Sequence, residues 1–297
     1  MNIVMTGGTS GFGALAVEEL SQQRPMRRVV LGGRSATDPR CLPLDLGSLE
    51  SVRAFAAQVV DRLDGASIDA LVLNAGLIRP DDTGRSADGF ETTFAVNHLA
   101  HHLLLRLLLP TLADGARIIA TTSGTHDPEV GAGLATPRHA DADLLAHPDR
   151  DPDRDPDPRR AGQHAYTASK LCTVLTVNAL AGAEDVRARG IRPIAFDPGQ
   201  VFGTGLARDL ALPLRVAWSV LGTPIGAPLR RLKPELNTRR AAGRALATLI
   251  VTDPTPAGAG TYAALRRGRL AWGEPSALAR DPQVAAQLWD DSVRLTG

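Results

Sequence analysis

The 297 residues hold 33 Lys and Arg against 32 Asp and Glu, a formal net charge of +1, which argues against a nucleic-acid partner needing a clustered basic face. No apolar run reaches the roughly 18 residues of a membrane-spanning helix, and a first strand that begins at once leaves no room for a signal peptide, so the expected location is cytoplasmic. Two cysteines, Cys41 and Cys172, give no disulfide framework, and the length fits one large or two average domains.

Residues 2–5 form a short apolar run, followed directly by Thr6-Gly7-Gly8-Thr9-Ser10-Gly11-Phe12-Gly13 and then by a helical pattern through Ala14, Leu15, Val17 and Leu20. Strand, glycine turn and helix together predict a dinucleotide site. Glycines let the backbone approach a pyrophosphate, and the helix N-terminus offers unpaired N–H groups to the anion. The next apolar run, 29–31, ends in Gly32-Gly33-Arg34. A ribose 2′-hydroxyl calls for an acid near this point and a 2′-phosphate for an arginine. Residues 31–37 contain no acid and one arginine, so Arg34 points to NADP, with NADPH preferred over NADH.

His98, His101 and His102 fall on one predicted helix. Only His98 and His102 stand four apart, and no neighbouring Cys or Glu completes a ligand set, so no metal is expected. Tyr166 and Lys170 are more telling. The chain has only two tyrosines and two lysines, yet one of each stands four residues apart, on one face of a helix. Arginine cannot give up its proton, so a lysine kept in an arginine-rich chain suggests proton chemistry. An ammonium beside the phenol favours the phenolate, which would lower the tyrosine pKa.

With these pieces in order, residues 2 to about 206 resemble the short-chain dehydrogenase/reductase family, nearest its retinol-dehydrogenase-like and light-dependent protochlorophyllide-reductase-like branch. Asp45-Leu46 resembles the family's adenine-contacting pair, and Asn74-Ala75-Gly76 its turn beside the cofactor. Asn97 matches the asparagine of the catalytic tetrad, which holds a water. Ser123 stands at the catalytic serine, with Thr122 in place of the usual preceding serine. Pro198-Gly199, with Val201 beyond it, resembles the turn that closes over the nicotinamide, and Thr204 the threonine that follows at a spacing one residue long. The resemblance implies that Tyr166 is the general acid, that Lys170 also holds the nicotinamide ribose, and that Ser123 stabilises the substrate oxygen.

Two departures stand out. Between Ser123 and Tyr166 lie 42 residues, far more than in compact members, and residues 127–163 read as an insertion rich in Pro, Asp and Arg. Its segment 148–160 is expected to lie mostly in solvent as a lid, an oligomer contact or an inert loop. Beyond Pro198-Gly199, residues 200–236 are apolar, through Phe202, Leu206, Leu210 and Trp218, and are expected to cover a hydrophobic substrate. A helix at 239–251, a last strand at 260–265 and a terminal helix at 281–295 complete the pattern.

The expected fold is α/β: one Rossmann-like, doubly wound domain over 1–297, a three-layer α/β/α sandwich with parallel strand order 3-2-1-4-5-6-7. Three functions remain open. One is an NADPH-dependent reductase of a carbonyl on a hydrophobic small molecule, polycyclic ones included. Another is a reductase of a C=C or C=N bond, and the third a non-enzymatic NADP-sensing or scaffold protein. The expected partners are a hydrophobic small-molecule substrate and a second copy of the chain in a homo-oligomer.

Overall fold

Eight strands form one sheet, whose central members are apolar on both faces. The computed structural model describes residues 1–22, 28–34, 38–201, 233, 235–252, 254–256 and 258–297. Strands β1 (Asn2–Thr6), β2 (Arg28–Gly33), β3 (Cys41–Pro43), β4 (Ile68–Leu73), β5 (Leu112–Thr121) and β6 (Arg192–Asp197) all run parallel. A two-stranded pair, β7 (Gln200–Val201) and β8 (Leu236–Asn237), stands apart. β9 (Tyr262–Arg266) continues the parallel sheet beside β6, and β10 (Arg269–Gly273) closes that edge antiparallel. The order is β10-β9-β6-β5-β4-β1-β2-β3, so the expected 3-2-1-4-5-6 arrangement holds.

Alternation along the strands sends successive side chains to opposite faces. Val4, Val30, Leu71 and Ile118 join one buried cluster, against helices α2 (Leu49–Leu63), α4 (Ala100–Leu108), α6 (Pro158–Gly182) and the C-terminal helix. Ile3, Met5, Leu31, Val72 and Ile119 join the other, against α1 (Gly11–Gln22) and the helix Arg239–Val251. A sheet covered on both faces needs such apolar runs. The chain winds outward from β1 to β3, then restarts at β4 on the other side. The crevice therefore opens beyond the carboxyl ends of β1 and β4, where α/β sheets bind ligands.

Two expectations need correction. The strand β10 went unseen because it is an exposed edge with an alternating burial pattern. Its hairpin turns through Arg267 and Gly268, both at positive φ (49° and 73°), as a tight two-residue turn requires.

The insertion also ends earlier than expected. Pro158 begins α6 rather than blocking it, because a proline at the first helical position has no N–H to waste. Asp157 caps that helix, accepting from the N–H groups of Arg159 and Arg160.

The charged segment 148–160 is mostly exposed, as expected, but it is also anchored. Arg154 grips Asp82 with two bonds of 2.8 and 2.7 Å, and Asp82 is only 5% exposed. Arg138 and His139 meet Asp151, itself 7% exposed. The Arg154–Asp82 pair lays the insertion on the body of the protein, and the Asp151 pairs tie the insertion to itself. The apolar stretch 202–221, with Thr204 and Trp218, lies outside the described residues.

Candidate active site

The glycine turn is built by close approach. Gly7 has φ +66°, and a Cβ there would lie 2.7 Å from the Ala75 nitrogen; one on Gly13 would lie 2.1 Å from the Gly7 oxygen. Neither position tolerates a side chain. Asn74 locks the turn, donating from Nδ2 to the Gly7 oxygen at 3.0 Å and accepting at Oδ1 from Thr121 at 2.9 Å. Thr9 and Ser10 are exposed at the lip of the turn, and Phe12 packs half-buried against the core. Arg34 is exposed at the end of β2. Asp45 accepts from Gly47 N at 2.9 Å, and Leu46 packs on the apolar cluster below.

Sequence reading missed the role of Thr6 and His101. The Thr6 hydroxyl accepts from Asn74 N and Ala75 N at 3.0 and 3.1 Å. Both acceptor positions are then used, so it donates to His101 Nε2 at 2.9 Å. His101 Nδ1 faces the Asn97 carbonyl at 3.2 Å and must carry the proton. This fixes a neutral imidazole, consistent with burial pushing its pKa down to about 4. His98 bonds Ser292 and stacks on His102, which packs edge-on against Trp289, while His101 turns to Thr6.

Asn97 lies in a π-helical segment, Ala95–Leu99, a distortion frequent at functional sites. Its side chain brackets the chain beyond Gly76. Oδ1 accepts from Leu77 N at 2.8 Å, and Nδ2 donates to the Leu77 oxygen at 2.9 Å and to Ser169 Oγ at 3.0 Å. The position a Gly76 Cβ would take is 3.3 Å from Asn97 Oδ1 and 3.5 Å from Lys170 Nζ, so the three residues converge.

Ser123 follows β5, while Tyr166 and Lys170 project from α6. The Ser123 side chain lies close enough to the Tyr166 phenol to favour its ionised form. Lys170 Nζ donates to the Thr121 oxygen at 3.0 Å and lies 5.8 Å from the centre of the Tyr166 ring. Thr122 returns a hydrogen bond to the Lys170 carbonyl at 2.8 Å.

Electrostatics at this pair differ from the sequence reading. Burial dominates and pushes the Tyr166 phenol up to about 12, against the lowering effect of the nearby Ser123 hydroxyl. Burial also pushes Lys170 down to about 8, opposed by the Asp197 carboxylate. The phenol therefore keeps its proton at neutral pH, the state a general acid requires.

The last turn is braced from three sides. Gly199 has φ +69°, and a Cβ there would lie 2.3 Å from the Glu235 oxygen. Asn237 Nδ2 donates to the Pro198 oxygen at 3.1 Å and to the Leu265 oxygen at 2.8 Å, and Val201 is buried in register with Asn237. Asp197 accepts from Gly199 N at 2.8 Å and from Arg266 at 2.9 Å. Neither Asn237 nor Arg266 carried a sequence signal, because their partners lie far away along the chain.

Comparisons with known proteins agree with this architecture. The family model of the short chain dehydrogenase matches residues 1–133. Protochlorophyllide reductase A of Oryza sativa subsp. japonica is 30% identical, over 99% of this chain and 80% of its own length. Human retinol dehydrogenase 13 is 31% identical, over 99% of this chain and 84% of its own. A solved structure described as a putative uncharacterized protein from Mycobacterium Paratuberculosis superposes with a TM-score of 0.67 at 25% identity, covering 99% and 92% of the two chains. The chain belongs to the short-chain dehydrogenase/reductase family and is an NAD(P)-dependent oxidoreductase.

Proposed function

We propose that the protein is an NADPH-dependent reductase that delivers hydride to the carbonyl carbon of a hydrophobic small molecule, polycyclic ketones included. The observation that carries this reading is the buried pair on α6, Lys170 Nζ 5.8 Å from the centre of the Tyr166 ring and bonded to the Thr121 oxygen at the end of β5, two residues before Ser123. The side-chain-free cradle of Gly7 and Gly13 at the start of α1 fits a pyrophosphate on the helix N-terminus.

In this reading Thr9, Ser10, Gly11 and Phe12 complete the pyrophosphate site, Arg34 takes the 2′-phosphate, and Asp45 and Leu46 flank the adenine. Asn74, Ala75 and Gly76 line the nicotinamide end with Pro198, Gly199, Val201 and Thr204. The nicotinamide, when bound, supplies the hydride.

Tyr166 gives its proton to the substrate oxygen as charge develops there. Ser123 donates to that oxygen as well, a preorganised donor aimed at an oxyanion. Lys170 stabilises the phenolate left behind and holds the ribose, and Asn97 keeps the Gly76–Leu77 turn in place beside it. The apolar sequence 202–221, directly after the Pro198-Gly199 turn, supports a hydrophobic substrate.

A second reading, reduction of a C=C or C=N bond, is supported by the similarity to protochlorophyllide reductase along nearly the whole chain. Tyr166 would then protonate carbon or nitrogen. A panel of ketones, aldehydes, enones and imines, followed by NADPH oxidation beside a Tyr166→Phe control, tests both. Turnover of ketones lost in Tyr166→Phe supports the first. Turnover confined to enones or imines selects the second, and binding of NADPH without any turnover favours a cofactor sensor.

A further inference from the structure

Ser123 lies two residues beyond β5 and caps a single helical turn, Gly124–His126. Its hydroxyl oxygen accepts from Thr125 N at 3.3 Å. Its carbonyl accepts twice from His126, from the main-chain N–H at 3.2 Å and from ring Nδ1 at 2.7 Å. A carbonyl only accepts, so Nδ1 carries the ring proton and Nε2 is left bare. Nε2 in turn accepts from the main-chain N–H of Ser276 at 3.3 Å. Both partners therefore demand the same neutral tautomer. His126 is 1% exposed, and burial pushes its pKa down, in keeping with that form.

The imidazole is also a meeting point of distant segments. Its ring tilts against Tyr262 on β9, with centroids 5.4 Å apart, and the Tyr262 hydroxyl donates to Asp197 Oδ2 at 3.1 Å. Asp197 Oδ1 holds Gly199 N, in the turn proposed to close over the nicotinamide. Ser276 follows β10 and is buried; its hydroxyl accepts from Ala279 N at 3.4 Å, and the Ala279 carbonyl accepts from Asn178 on α6 at 2.7 Å.

We propose that His126 is a positioning residue of the reductase site: by clamping the Ser123 carbonyl to the main chain of Ser276, it fixes the direction in which the Ser123 hydroxyl is presented. The role of Ser123 rests on the reductase reading; the clamp itself does not.

The direction of a side chain follows from the two peptide planes that flank its Cα. The chain ahead of Ser123 is tied down at Thr122, whose N–H donates to the Phe196 oxygen at 2.8 Å and whose hydroxyl donates to the Lys170 oxygen at 2.8 Å. His126 ties down the plane after it. Ser123 is thereby held in an extended conformation, φ −157° and ψ 145°. Without the ring, that carbonyl keeps only the longer bond from the His126 N–H. A misplacement on the order of 1 Å at a reacting centre can cost about a hundredfold in rate.

The tautomer is open to measurement in the full-length wild-type protein. Nitrogen-15 labelling of its seven histidines reports which ring nitrogen carries a proton, and the signals missing in His126→Asn identify His126. Nδ1 protonated and Nε2 bare at neutral pH is the expected result. The opposite tautomer, or an imidazolium, overturns the clamp.

Kinetics test the positioning. His126→Leu fills the space without either bond and should lower kcat for the best carbonyl substrate by about ten- to a hundredfold, while KM and NADPH affinity stay within about twofold. His126→Asn puts a donor where Nδ1 stands and should recover most of that loss. In a Ser123→Ala background His126→Leu should cost nothing further, because the hydroxyl it positions is gone. An equal loss in both backgrounds makes His126 a structural residue only and overturns the proposal, as does full kcat in His126→Leu. If His126→Leu does not fold, His126→Gln, whose longer amide reaches towards Ser276 and past the Ser123 oxygen, replaces it in the same cycle with the same expectation. If no substrate is turned over at all, the reductase reading fails, and the tautomer alone upholds or overturns the clamp.

Discussion

The Thr122 hydroxyl donates to the main-chain carbonyl of Lys170 at 2.8 Å, while the Lys170 ammonium donates back to the carbonyl of the preceding Thr121 at 3.0 Å. Strand β5 and helix α6 are thus joined at the two residues that flank the proposed acid. Thr122→Val, close in shape but without the donor, should cost about 1–3 kcal/mol in urea unfolding, because a buried carbonyl loses its partner. Thr122→Ser should recover most of it. Equal stability in all three proteins would remove this bridge from the account.

Tyr166→Phe removes the transferable proton and little else. It should abolish carbonyl turnover while leaving NADPH affinity within a few-fold of wild type, as fluorescence titration can measure. Ser123→Ala should lower kcat by about two to three orders of magnitude if Ser123 is an oxyanion donor. It should also take away the neighbouring hydroxyl that lowers the phenol pKa, so any residual activity should extend further to alkaline pH.

Much of this site was legible in the sequence because its parts are local. A glycine turn between strand and helix, and a Tyr and Lys one turn apart, are fixed by short-range geometry, and the structure sets them where the winding of the sheet reverses. What escaped is long-range or cooperative. Asp197 and Arg266 are 69 positions apart, and nothing in either neighbourhood announces the pair. The π-helical segment around Asn97 depends on packing against α6 and on the His101 bond, not on residue propensity. The Pro, Asp and Arg composition of 148–160 reads as solvated chain. Its order comes from partners elsewhere, Asp82 and Arg85 among them.

Lys170 makes a pH prediction with a definite sign. Its pKa is depressed in the folded chain, from 10.5 to about 8, so between those values the unfolded chain binds the proton that the folded one has released. Its contribution to stability therefore rises with pH across about 8 to 10.5, and its burial costs roughly 3 kcal/mol below that window. In Lys170→Met this term is absent. The difference in unfolding free energy, variant minus wild type, should fall by that amount between pH 8 and 10.5. A flat difference would mean that Lys170 is not desolvated as the structure has it.

Cofactor choice should rest on Arg34. With no acid among residues 31–37, the exposed guanidinium is positioned by sequence to meet a 2′-phosphate. Arg34→Ala should weaken NADPH binding by about 1.5–3 kcal/mol, the value of a charge-assisted hydrogen bond, and should spare NADH. Wild-type protein that binds NADH as tightly as NADPH would remove Arg34 from the site.

The insertion should respond unevenly to the loss of its arginines. Arg154 holds the nearly buried Asp82 with a two-pronged contact, whereas Arg160 meets Asp155 with its own side chain 63% exposed. Arg154→Ala strands a desolvated carboxylate and should cost about 1–3 kcal/mol. Arg154→Lys should recover only part of that, since an ammonium cannot reproduce the planar fork. Arg160→Ala should leave stability close to wild type, and closer still at 1 M salt, where a surface pair is screened. Removing residues 148–160 altogether should destabilise the protein, because it takes away Arg154, the Asp157 cap and the first turn of the helix that carries Tyr166. Urea unfolding of the four variants at low and high salt separates these effects. Equal, salt-sensitive losses for Arg154→Ala and Arg160→Ala would mean that the insertion is a loosely held surface loop after all.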